Sequence, residues 1–233
     1  MADRIQNSTL RFVNFYRQFF TDDLLPMFRD IEKRAEKVAD EEYERLGAQP
    51  AGEDWDGDMG ALAEAAEDEA IAFYETMTAL RQSVLNLFAV GLFHLLEQQL
   101  ADLCRDGAFT VPPPRDVNIN AVADWYQQHF VLDLRRLPAW STIDELRLVA
   151  NATKHAEGRS AEQLREKRPE LFRYSPLGEM FLGNVPRPIT QPLAGEDFHV
   201  TPEIMEEYSQ SVVTFVSAIA KYFEEHGDEY YPR

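Results

Sequence analysis

The chain has 233 residues, a formal net charge of −18 and a single cysteine, Cys104. That charge excludes a protein that coats nucleic acid by bulk electrostatics, because counterion release needs clustered Lys and Arg, so any nucleic-acid contact has to be local. One cysteine excludes an internal disulfide framework and a multi-cysteine zinc site, and fits a reducing, cytoplasmic setting.

The first twenty residues lack an uninterrupted apolar run and a small-residue cleavage site, so no secretory signal is expected. From Ile5 onward Phe12, Phe15, Tyr16, Phe19 and Leu24 recur at three- and four-residue steps. This spacing predicts a helix with an aromatic stripe in the core, a dimer seam being the lesser reading. Pro26 breaks the pattern and leaves a second helix from about Met27 to Leu46. Gly47 to Gly60 is a turn-rich acidic linker whose Asp54, Asp56 and Asp58 look like the start of a calcium loop. Counting from Asp54, Met59 and Ala65 stand where that loop needs Gly and Glu, so a solvated loop is expected and no metal.

Residues 61–106 read as one long helix that ends at Gly107, before the break at Pro112, Pro113 and Pro114. Its apolar run, Val84 to Leu96, is interrupted by Asn86 and His94 and falls short of the roughly 20 residues of a membrane span. A buried core helix is expected, with no membrane as partner. His94 and Glu97 are three apart, but a di-iron bundle needs a second such motif and further Glu residues, so a half-buried, hydrogen-bonded histidine is expected.

Further helices are predicted over Asn120 to Leu134 and Ser141 to Glu157, the second opened by a capping box from Ser141 and Thr142 to Asp144 and Glu145. A short basic helix follows Gly158 as far as Pro169. From Arg173 to Val200 four prolines and three glycines leave only Asp197 to Val200 for a short strand, and a last helix opens at Thr201 and Pro202. Val212, Val213, Phe215, Val216 and Ile219 of that helix suit packing on the bundle. The reading is one all-α domain spanning 1–233, a bundle of about six or seven helices with an irregular excursion near 173–200.

Charge is uneven along the chain. Residues 1–70 carry 8 Lys/Arg against 18 Asp/Glu, whereas residues 135–173 carry 9 against 6. Inside this basic island lies the segment Glu145 to Gly158. At about 100° per residue, Leu146, Val149, Ala150, Thr153 and Ala156 share one arc with Ile143 at its edge, while Arg147, Asn151, Lys154 and His155 share the other. Arg147 and Lys154 can stabilise anionic oxygens, His155 can exchange a proton near neutral pH, and Asn151 can orient either. Lys154 and Arg159 are the candidate phosphate-binding residues. The set suits metal-free cleavage of RNA, and equally a phosphate-binding surface or a solvated helix end whose cations favour the dipole.

Asn151, three intervening residues and His155 resemble the signature region of the HEPN superfamily, all-α proteins of bacterial toxin–antitoxin and phage-defence systems. Many members are metal-independent endoribonucleases, with an Arg, often followed by Asn, separated from a His by four to six intervening residues. Here Ala150 stands where that Arg is expected, and Arg147 lies one turn earlier, with seven residues between it and His155. The resemblance implies a cofactor-free ribonuclease with His155 as acid/base, Asn151 as orienter and Arg147 or Lys154 as anion stabiliser, acting as a homodimer. The alternative is a catalytically inactive acidic helical module that binds a partner protein through its surface or its irregular arm.

Overall fold

The computed structural model describes residues 2–48, 59–105, 112, 114–115, 118–172, 188–193 and 197–230, with 227–230 through their backbone alone. Among them helices dominate and no strand occurs. A short α1 (Ala2–Arg4) leads through a π-helical turn, Ile5–Thr9, into α2 (Leu10–Phe19), a second π turn, Phe20–Leu24, and a 3-10 turn, Leu25–Phe28. Then come α3 (Ile31–Gly47), α4 (Met59–Cys104), α5 (Ile119–Phe130), α6 (Trp140–His155), α7 (Arg159–Lys167) and α8 (Pro202–Tyr230). The calcium-like stretch Asp54 to Asp58 and most of the irregular arm lie outside the described residues.

The 46 residues of α4 form the spine, about 70 Å long. The chain from α1 to α3 runs antiparallel along it. Thr9 bonds Gln99, the Tyr16 hydroxyl donates to the Phe88 carbonyl at 2.8 Å, and the Arg34 guanidinium lies over the Phe73 ring. Gly91 makes the Tyr16 crossing possible, since a Cβ there would collide with the phenol oxygen.

Two expectations for this rod need correction. The aromatic stripe is only partly core: Tyr16 and Leu24 pack against the core, but Phe12, Phe15 and Phe19 are 50%, 54% and 51% exposed, while Ile5, Thr9, Val13 and Phe20 are buried. π turns flank α2 on both sides, and the buried face runs through Ile5, Thr9 and Val13 to Phe20, leaving the three phenylalanines on another side of the helix. Pro26 does not start the second helix either. A proline fits the first turn of a helix, and here it opens the 3-10 turn, so the break falls at Asp30, which is left-handed at φ 52°.

By length and composition α4 could cross a membrane. In this fold its apolar half builds the core, with Leu85, Ala89, Leu92, Phe93, Leu96 and Leu100 all buried. Around it pack α5, α6 and α8. α8 is antiparallel to α2, through Gln6 with Glu224 and Arg17 with Glu206, and antiparallel to α6, through Tyr208 with Glu145 and the Trp140 ring 5.9 Å from Phe215.

α6 is the central helix of this body. Ile143, Leu146, Val149, Ala150 and Thr153 are buried as the projection predicts, and Leu148 and Ala152 are buried as well. Its expected capping box is absent. The helix starts at Trp140, one residue early, after a left-handed Ala139, and no side chain caps it. Asp197 to Val200 is extended but not a strand: the buried Asn86 amide donates to the Phe198 carbonyl at 2.7 Å and accepts from the Val200 amide at 3.0 Å. A side chain of α4 thus serves as the strand partner, and Gln82 adds a bond to the Val200 carbonyl.

Candidate functional site

The last turn of α6 ends against residues 188–193. Ala156, left-handed at φ 61°, bonds back to Ala152, the Leu193 amide donates to the Thr153 carbonyl at 2.8 Å, and the Ile189 amide donates to the Glu157 carboxylate at 3.0 Å. Arg165 of α7 binds the same carboxylate with both terminal nitrogens. Among the described residues these bonds satisfy the Ala152 and Thr153 carbonyls without engaging the side chains of Asn151, Lys154 or His155.

Arg147 does not join it freely. Its Nε and Nη2 donate to Asp144 Oδ1 at 2.9 and 2.7 Å, and Lys167 reaches the other oxygen at 3.3 Å. Asp144 lies in the middle of the polar arc, where the projection placed only donors. Burial raises the Asp144 pKa, but hydrogen bonding and attraction from Arg147, then from Lys167, hold the carboxyl below its ordinary range.

The basic island is mostly neutralised in the same way. Arg135 pairs with Asp124, Arg136 with Asp133, Arg165 with Glu157, and Arg168 with Glu145, Glu170 and Glu207. Among the described residues of the island, only Lys154 and Arg159 have no carboxylate partner. Arg159 opens to solvent at the start of α7.

Lys154 turns toward α4, its Nζ 3.1 Å from His94 Nε2. On the far side of that ring His94 Nδ1 lies 3.4 Å from Glu97 Oε2, and Glu97 Oε1 accepts the Ile119 amide at 3.0 Å, at the first residue of α5. Asn151, one turn before His155, is half-buried, and His155 closes α6 as an exposed residue. The edge meets α4 through Lys154 and His94, with Glu97 beyond the ring, while Asn151 and His155 lie on the same last turns of α6 and Arg147 belongs to a separate cluster with Asp144 and Lys167.

Sequence reasoning missed His94 and Glu97 as members of this edge. Their spacing was visible, but nothing local says that α4 meets α6 there. Chemically the edge offers imidazoles, an ammonium and an amide, groups that bind and protonate phosphate oxygens. No group of three or more His, Cys, Asp or Glu among the described residues could hold a metal ion. Burial pushes the Cys104 thiol up to about 12, which leaves it unreactive.

Two surface depressions lie elsewhere, one lined by Phe28, Ile31, Tyr74 and Arg81, the other by Asn7, Arg11, Phe12 and Phe15. Compared with family models, with curated proteins and with solved structures, the chain finds no match.

Proposed function

We propose that this protein is an RNA-directed, HEPN-like endoribonuclease that works without metal, of the kind found in bacterial defence or toxin–antitoxin systems. One observation carries the reading: in an island where every other described cation is tied to a carboxylate, Lys154 and Arg159 have no carboxylate partner among the described residues, and they flank the exposed His155 in sequence. Those are the groups that a phosphodiester would meet first. The His155 imidazole exchanges the proton, Lys154 and Arg159 stabilise charge on the phosphate, and Asn151 orients the ribose or the ring. Lys154 takes the part that the resemblance gives to an Arg at position 150, since Arg147 is engaged with Asp144. The resemblance also implies that two copies act together.

A second reading has its own observation. Phe12, Phe15 and Phe19 form an exposed row on a strongly acidic chain, which suits a non-enzymatic module docking another protein.

Incubating labelled tRNA and total cellular RNA in EDTA with the wild type and with His155→Ala separates the two. The nuclease reading expects cleavage by the wild type and a loss of about 10²-fold or more in the variant. Intact RNA in both reactions gives the interaction module the stronger claim.

A further inference from the structure

We infer that Glu97, His94 and Lys154 form a latch that a phosphate anion opens, freeing His94 as a proton-transfer group in addition to His155; this rests on the RNA-directed reading above. The hydrogen-bond chemistry fixes the resting state. An ammonium has donors only, so with Lys154 Nζ 3.1 Å from Nε2, that ring nitrogen is the acceptor. The ring is then neutral and carries its proton on Nδ1, which faces Glu97 Oε2 at 3.4 Å. Glu97 is itself held, 13% exposed and bonded to the Ile119 amide. Three helices, α4, α5 and α6, thus set the orientation of one imidazole.

The weak point of the arrangement is its lysine. In a chain with 41 acidic residues, Lys154 has no carboxylate partner among the described residues, and its close neighbour is a neutral ring. A phosphate oxygen makes a stronger, charge-assisted bond to an ammonium than an imidazole does. Anion binding at Lys154 therefore draws Nζ off Nε2 and uncovers a lone pair on a ring whose other nitrogen faces a carboxylate, the arrangement that fixes a tautomer and orients the ring.

With RNA bound, His94 Nε2 takes the 2′-OH proton, the O2′–phosphorus bond forms, the phosphorus–O5′ bond breaks, and O5′ takes a proton from the general acid, the part that the proposed function gives to His155. The products are a 2′,3′-cyclic phosphate and a 5′-hydroxyl. No water, metal or oxidant is consumed. Glu97 is a positioning residue, acting through His94.

The test is nitrogen-15 NMR of the histidine rings in the full chain, with His94 assigned through His94→Gln. Inorganic phosphate and an uncleavable 2′-deoxy oligonucleotide are the two probes. The latch predicts the Nδ1–H tautomer in the free protein, a shift of Nε2 with at least one probe, and no such shift in Lys154→Gln. An Nε2–H tautomer, or ring signals unmoved by both probes, would overturn it.

Kinetics then separate its failure from that of the nuclease reading. His94→Gln, which keeps an acceptor for Lys154, should lower kcat about 10²-fold, and Glu97→Gln about tenfold with KM unchanged. RNA cut at the wild-type rate by His94→Gln removes the latch and leaves the nuclease. A phosphate-responsive His94 with no RNA cleavage leaves the latch as an anion site and removes the nuclease.

Discussion

Asp144 shows how a single residue redraws the candidate site. It falls among Arg147, Asn151, Lys154 and His155 on the α6 surface and ties Arg147 and Lys167 together, joining α6 to α7. Burial works against its charge, but the two cations prevail and keep its folded-state pKa below the usual value of about 3.9. The sign follows: the stabilisation is present above the unfolded pKa and is lost as pH falls through the folded one. Asp144→Asn should therefore flatten the decline in thermal stability between about pH 5 and pH 2 relative to the wild type. An unchanged acid profile would show that the cluster contributes nothing. The cation proposed to stabilise an anion at the edge is then Lys154, a residue whose type was legible in the sequence but whose partner was not, because His94 stands sixty positions away on another helix.

At the scale of elements, the boundaries carrying local chemistry were the readable ones. α8 opens where Thr201 and Pro202 say it should, with Thr201 capping the Ile204 amide, and α5 is capped by Asn118, close to the expected start. The phase of α2 was not readable, since nothing in the spacing of Phe12, Phe15 and Phe19 announces flanking π turns. Nor was the clasp of Asn86 on Phe198 and Val200, which read locally as an interruption and proves to be a tertiary bond. The corrected phase makes a sharp prediction. Phe20→Ala should cost about 3–5 kcal/mol in urea unfolding, as for a buried aromatic. Phe15→Ser should cost under about 1 kcal/mol. Equal costs would mean that the exposed and buried faces of α2 are wrongly assigned.

On the scale of the whole molecule, the −18 charge and the neutralised island confine any RNA contact to a small patch. Binding of a single-stranded oligonucleotide should accordingly depend only weakly on salt. With Lys154 and Arg159 as the phosphate contacts, the slope of log affinity on log salt should be near −1.4, about −0.7 per contact. A slope steeper than about −4 would demand a much broader positive surface than this fold presents. The all-α class was legible from periodicity and punctuation, whereas the site depended on which helices meet, a property of packing that no local pattern encodes.

The central claim, metal-free chemistry on RNA at the α4–α6 edge, is tested most directly by matched oligonucleotides incubated with the wild-type protein in EDTA, one of RNA and one fully 2′-deoxy, with end-group analysis of the products. The account predicts that the RNA is cut to a 2′,3′-cyclic phosphate and a 5′-hydroxyl while the deoxy strand stays intact. Two intact strands, or cleavage of both alike, would contradict it.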